Sequence, residues 1–292
     1  MIGESRRKQT TPASIPDVDR LRHGKEQKRS SLAFRKTLPY SLRRLLTIMP
    51  ANPTLSPQVF NDARLATRGE PMTVQGAVNK TAVLLAITVV SAAYTWQLFW
   101  KGDTNLNGWI IGGALSGFII AMITSFKPMW SPVTAPIYAM CEGLFIGALS
   151  SLFEQRLPGV VMQAVMLTFG TLAALLGAYS MGIIRATTAF RRGVIAATGG
   201  IFLLFLVSIG LSFFHIQIPG IFGSGPIGIV FSLVVVVIAS LNLVLDFDMI
   251  ESGARGGAPK YMEWYCGFAL LVTLVWLYLE ILRLLAKLNR RN

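Results

Sequence analysis

The chain has 292 residues, 53% of them hydrophobic and 14% charged, with 27 Lys and Arg against 14 Asp and Glu. A soluble domain carries about 25% charged residues, so this composition, with a mean hydropathy of +0.55, leaves too little polar surface for a water-soluble globule and implies a membrane protein. The net charge of +13 would suggest nucleic acid in a soluble chain, but an apolar body has no polar face on which to mount such a site, and the lipid bilayer with its anionic headgroups is the expected partner instead.

In chain order the first element is a basic arm, residues 1–50. Residues 1–79 hold 14 Lys and Arg and 6 Asp and Glu, whereas residues 80–292 hold 13 and 8. Residues 1–30 are polar and lack apolar periodicity, which predicts disorder; no short apolar core and cleavage site follows them, so they do not read as a signal peptide. Residues 31–49, SLAFRKTLPYSLRRLLTIM, space Phe34, Leu38, Leu42, Leu45 and Met49 helically among Arg35, Lys36, Arg43 and Arg44, the pattern of an interfacial helix, interrupted by Pro39. Met49 followed by PANPTLS leaves a native start there open. Residues 51–79 read as a cytosolic lead-in, and residues 80–288 as the transmembrane domain.

A spanning helix needs about 20 mostly apolar residues. Uncharged or nearly uncharged runs cover 81–100, 104–126, 128–153, 157–184, 193–245 and 261–282. The fifth is long enough for two spans, and HIQIPGIFGSGPIG (215–228), with its two prolines and four glycines, marks the break. Seven spans are therefore predicted, near 81–100, 108–126, 134–153, 160–183, 194–213, 226–250 and 261–285. The short loops between them make sequential helices antiparallel neighbours in an all-α bundle. Gly108, Gly112, Gly113 and Gly117 in the second span, and Gly143 and Gly147 in the third, permit close backbone approach, either within the bundle or across a dimer; monomer and homodimer are both compatible with it.

With the N-terminus inside, nine Lys and Arg lie near inner span ends and six near outer ones, which favours a cytosolic N-terminus. Arg283, Lys287, Arg290 and Arg291 pull the other way, so that either the C-terminal tail lies outside or one segment is re-entrant and the spans are effectively six. Cys141 and Cys266 sit in apolar runs without CxxC or Cys/His spacing and read as small core residues, with no disulfide framework, metal site or cofactor indicated.

The acids carry the functional signal. Asp103 and Glu154 fall in outer loops; Glu142, Asp246, Asp248, Glu251, Glu263 and Glu280 lie within or at the edges of spans, and intramembrane carboxyls are functional candidates by default. No Lys or Arg lies at mid-span to neutralise them. Two carboxyls sharing a desolvated site cannot both ionise, which is a physical recipe for pH sensitivity. Asn242 and Asp246 share one face of the sixth span, Asp248 points elsewhere, and Asp248, Glu251 and Glu263 are expected to be interfacial and solvated. Glu142 lies about two turns into the third span, Lys127 is a candidate counter-charge by position, and Glu280 has Arg283 one turn on.

Enzymes fit poorly. The two histidines, His23 and His215, cannot supply HExxH, Ser224 near His215 has no supporting pattern for nucleophilic catalysis, and no GxGD aspartyl-protease signature is present.

Five segments carry a resemblance: NPTLSPQVF (52–60), MTVQGAVNKT (72–81), SPVTAPIYAMCEGLFIGALSSLFE (131–154), LNLVLDFDMIESGARGGAPKYMEWY (241–265) and LVWLYLEILRLLAKL (274–288). In order and content they resemble the bacterial branch of the Bax inhibitor-1/YccA family, from about residue 50 onward. The resemblance implies an inner-membrane protein of seven helices with the last one central and the other six wrapped around it in two layers. It also implies a pH-dependent calcium leak governed by an acidic pair on the last two helices: Asp246 in LDFDMI, with Asp248 as a nearby substitute, and Glu280 in LYLEILRLL, where the family usually has aspartate. Some members are tied instead to regulating a membrane-anchored AAA protease, a non-transporting alternative. Geometry disfavours direct contact of the implied pair. In a hairpin turning near residue 256, Asp246 would lie about 15 Å from the turn and Glu280 about 36 Å, while Glu263, at about 10 Å, is a possible alternative partner.

Overall fold

The computed structural model describes residues 70–102, 106–212, 214, 221 and 223–290. The expectations for the basic arm, for residues 51–69 of the lead-in, and for Asp103 and His215 lie outside the described residues. Within them the chain forms seven long helices: α1 (Val74–Trp100), α2 (Leu106–Phe126), α3 (Ser131–Arg156, preceded by a 3-10 turn at Pro128–Trp130), α4 (Val160–Ser180), α5 (Thr188–Ser212), α6 (Pro226–Arg255) and α7 (Met262–Asn289). All seven are long and apolar enough to cross a membrane.

The count and order agree with the spans read from the uncharged runs; the ends differ, and several of the differences share a physical cause. Counting uncharged residues stops a span at its first charge, but a helix continues through a charge whose side chain finds a partner. Thus α1 begins at Val74, inside the lead-in assigned to 51–79, because Thr73 caps it by accepting the Gly76 N–H, and Lys80 is carried over the Trp264 ring at 4.8 Å. In the same way α5 starts upstream of Arg191, which pairs with Asp248 on α6. The α6 helix runs past residue 250 to Arg255, which pairs with Glu251 one turn back at 3.3 Å. Pro226 opens α6 at its first turn, where a missing N–H costs nothing.

The last helix is the core. In its membrane-length window 67% of residues are buried, against at most 39% in any other helix. It packs on α1, α3, α4 and α6, and Met262, Tyr265, Phe268, Leu271 and Leu277 are sealed inside. In lipid there is no hydrophobic drive between helices, so the outer helices must hold by close fit and by hydrogen bonds. The seam of α1 and α3 does both. A Cβ on Gly143 would lie 2.4 Å from the Thr88 carbonyl oxygen, and one on Gly147 would lie 2.2 Å from that of Ala92. Across the same seam the Thr88 hydroxyl donates to the Ala139 carbonyl at 3.2 Å and that of Thr95 to Leu144 at 3.1 Å. On the other side of α3, Gly113 of α2 lies against the Phe145 and Cys141 backbone, and Gly117 against the Glu142 carboxylate. Of the glycines read from the sequence, Gly113, Gly117, Gly143 and Gly147 are thus occupied inside the bundle, whereas Gly108 and Gly112 face outward. Cys266 is buried and Cys141 half-buried, both as free thiols.

One end of the bundle is tied together. The loop from Gly256 to Tyr261 reverses direction with Gly257 at φ 68°, a left-handed conformation that favours glycine. The Met72 N–H donates to the Ala258 carbonyl at 2.6 Å, and the Ser131 hydroxyl to the Tyr261 carbonyl at 3.1 Å. The starts of α1, α3 and α7 and the end of α6 therefore share one side.

Candidate functional site

The candidate site is a set of carboxyls, buried or half-buried, that face different neighbours. Asp246 is 1% exposed on α6, and its Oδ2 accepts the Thr273 hydroxyl of α7 at 2.6 Å. This contact sets the register of the last two helices: Asp246 lies nine residues before the end of α6 and Thr273 eleven after the start of α7. Glu280 is seven residues beyond Thr273 on the same helix, about 10 Å further along at ~1.5 Å per residue. The acidic pair implied by the family resemblance, Asp246 and Glu280, is therefore not brought together here, in line with the hairpin geometry. Glu280 instead holds Arg283 through both oxygens, at 2.8 and 3.0 Å, the one-turn pairing read from sequence, and the guanidinium lies 5.5 Å over the Phe205 ring of α5.

Glu263, the alternative partner, is ten residues from Thr273 in the other direction, about 15 Å along α7, and is not the solvated end residue expected. It is 1% exposed, and its Oε1 accepts from the Thr73 N–H at 3.0 Å and the Thr73 hydroxyl at 3.1 Å, with Lys260 at 3.3 Å. The reason is the N-terminus of α1, whose unpaired amides attract a carboxylate, together with Gly76, whose missing side chain leaves room for it.

Asp248 points away from Asp246, as its position two residues on requires, and pairs with Arg191 of α5. Glu251 is half-exposed at the end of α6, where it accepts the Tyr179 hydroxyl of α4 at 2.6 Å. Asn242, one turn from Asp246 on the same helix, donates through its side-chain amide to the Thr198 hydroxyl of α5 at 2.9 Å, while its buried Oδ1 has no partner among the described residues. Glu142 is 9% exposed and lies in a different interface, between α3 and Gly117 of α2, with Tyr138 one turn before it on α3. Tyr138 in turn packs edge-on against Phe268 of α7 at 4.9 Å. Lys127, expected as a counter-charge, lies 4.5 Å over the Trp130 ring, which the 3-10 turn at Pro128–Trp130 brings back to it, and it forms no ion pair among the described residues.

Thr273, Thr73, Arg191 and Thr198 were not singled out from the sequence, although each holds one of the acids or Asn242. A hydroxyl in an apolar run can satisfy itself on its own helix, as Thr81 and Thr168 do here, so nothing in its type marks which threonine crosses to a neighbour. The available signal was spacing: Arg191, Thr198 and Phe205 recur every seven residues along α5 and meet Asp248, Asn242 and Arg283 in turn.

Six membrane-length helices bundled with a buried seventh, and acids at several depths held by polar or basic partners, define a polytopic membrane protein with an ionisable interior. The chain matches the Bax inhibitor 1 like family over residues 52–290, and it belongs to that family. No curated protein and no solved structure was found to match it.

Proposed function

We propose that the protein is a non-enzymatic, pH-sensitive cation leak, with calcium as the expected ion, in the bacterial cytoplasmic membrane, and that Asp246 both meets the ion and senses protons. The observation that supports this is the placement of Asp246: a carboxyl 1% exposed, deep in α6, with its Oδ2 bonded to a hydroxyl of the central helix. An ionised carboxylate offers a permeating cation oxygen ligands and charge, which suit calcium; protonation removes both. It also weakens the carboxyl as an acceptor for Thr273 and adds an O–H donor that needs a partner of its own, so the proton state is coupled to how α6 packs on α7. Asn242, whose free Oδ1 is the next acceptor one turn away, and Glu142, across the bundle, are the further oxygen groups on the path, while Glu280 and Asp248 are held by Arg283 and Arg191 and tie α7 and α5 in place. The N-terminus is assigned to the cytosol because the side on which α1 enters carries Lys80, Lys127, Arg185, Arg191, Arg192, Arg255 and Lys260, the positive-inside arrangement.

The sign of the pH dependence follows: calcium flux falls as pH drops through the titration of Asp246. Reconstituted in liposomes, the full chain should pass calcium at neutral pH and lose flux on acidification. Asp246→Asn, nearly isosteric and unable to ionise, should hold flux at the low level and flatten the profile. An Asp246→Asn profile identical to that of the parent would remove Asp246 as the sensor. A correctly folded parent protein that passes no calcium at any pH would overturn the leak itself, in favour of an interaction role such as regulating a membrane AAA protease.

A further inference from the structure

Away from these acids, a cavity of about 440 Å³ lies between α1 and α4, over a floor made by α3 and α7. This volume falls within the range of small-molecule sites, roughly 300–1,000 Å³. The walls are outward-facing: Val89 of α1 and Met162 of α4 are both more than half exposed. In a membrane-spanning bundle such a groove faces hydrocarbon, not water.

The chemistry of the lining selects the occupant. Each hydroxyl in the floor and walls is already bonded within the protein. Thr88 donates to Leu84 and Ala139, Thr168 donates to Ala164, and the hydroxyls of Ser150 and Tyr278 share one bond at 2.7 Å. The Glu154 carboxylate at the end of the groove is taken by the N–H groups of Gly159 at 2.6 Å and Val161 at 3.2 Å. These groups leave a polar ligand little to bond, and what remains is an apolar trough. Two cations flank the end where Glu154 lies, and the Glu154 carboxylate is already held by backbone N–H groups. Lys101 caps α1 five residues after Trp96, which lines the groove, and Arg156 ends α3 two residues after Glu154. Both are exposed, and neither forms an ion pair among the described residues.

We propose that this groove holds one acyl chain of a single anionic phospholipid from the surrounding bilayer, with its phosphate against Lys101 and Arg156. The apolar trough accounts for the chain, and the two cations near its end account for the headgroup, because a phosphate gains from charge-assisted hydrogen bonds to basic side chains.

Native mass spectrometry of the full chain in detergent, with phosphatidylglycerol or phosphatidylcholine added, tests this. The expected result is one phosphatidylglycerol retained per chain after annular lipid is stripped. Ala93→Phe with Val165→Phe, which fills the trough, should weaken retention at least about tenfold. The Lys101→Ala, Arg156→Ala double variant should keep a bound lipid but lose the preference for the anionic one. Retention unchanged by filling the trough overturns the proposal. Because the filled variant can fail to fold, a second measurement uses the unaltered chain. Phosphatidylglycerol with a diazirine on its acyl chain should label the groove walls around Val89, Val165 and Phe169 above outward residues such as Phe118 and Leu203. Even labelling of all outward faces means annular lipid only, and overturns it.

Discussion

Gly143→Ala is expected to loosen the seam of α1 and α3 strongly. The added carbon would sit 2.0 Å from the Ser91 hydroxyl and 2.4 Å from the Thr88 carbonyl oxygen of α1, and a backbone oxygen cannot rotate away. The helices must separate by about an ångström or more, which also stretches the Thr88–Ala139 and Thr95–Leu144 hydrogen bonds across the seam. Overpacking costs about 1–3 kcal/mol, and with the interhelical bonds weakened as well the upper end is expected. For a domain of this size each kcal/mol lowers the melting temperature by roughly 2–4 °C, so a drop of about 5–10 °C in detergent should be seen. Gly112→Ala is the internal control: nothing lies within 4 Å of its added Cβ, and the gain in helix propensity, about 0.5–1 kcal/mol, should leave stability equal or slightly raised. If Gly143→Ala and Gly112→Ala melt alike, close packing of α1 on α3 is not what holds this seam.

The second large effect is expected at the other end of α1. Glu263→Ala removes the acceptor for both the N–H and the hydroxyl of Thr73 and strands Lys260 without its nearer carboxylate. Hydrogen bonds to a charged group are worth about 1.5–3 kcal/mol, so a loss of about 3 kcal/mol is expected, concentrated where α1 begins. Hydrogen exchange should show it directly, with the amides of Thr73 to Ala77 exchanging faster while those of mid-α7 keep their protection. Thr73→Ala should cost about 1 kcal/mol, the typical loss of an N-cap, and Lys260→Ala less than about 1 kcal/mol, since that ammonium is half exposed. A double-mutant cycle between Thr73 and Glu263 should give a coupling energy of about 0.5–3 kcal/mol; additive losses would mean that the carboxylate stabilises α7 alone and does not anchor α1.

The contrast between these two sites shows what was legible in the chain. The Gly143 and Gly147 spacing announced a close helix contact, because small residues four apart on a helix necessarily share a face. Which helix would fill that face was open, since an intramolecular neighbour and a second copy satisfy the same spacing. Glu263 was read as a solvated end residue because its position, one turn into a span and next to Lys260, is that of an interfacial acid. Its burial depends on Thr73 and Gly76, almost two hundred residues earlier, and no local pattern reports a contact of that length. The same holds for Asp246. Its lack of a nearby cation on its own helix was visible, whereas the hydroxyl that donates to it comes from α7 through a register set by the Gly256–Tyr261 loop.

What the sequence determined by itself was therefore everything that depends on transfer into a bilayer: seven spans, their order, the break at residues 215–228 and the rarity of acids at membrane depth. These follow from composition along the chain, because solvation by lipid acts on each segment separately. What only the tertiary structure decided was the pairing: Asp246 with Thr273 and not Glu280, Glu280 with Arg283, Glu263 with Thr73, and Lys127 with an aromatic ring instead of an acid. A buried polar group must find a partner in the interior, but several partners meet that demand equally well in one dimension, and the choice among them is made by helix register and rotation.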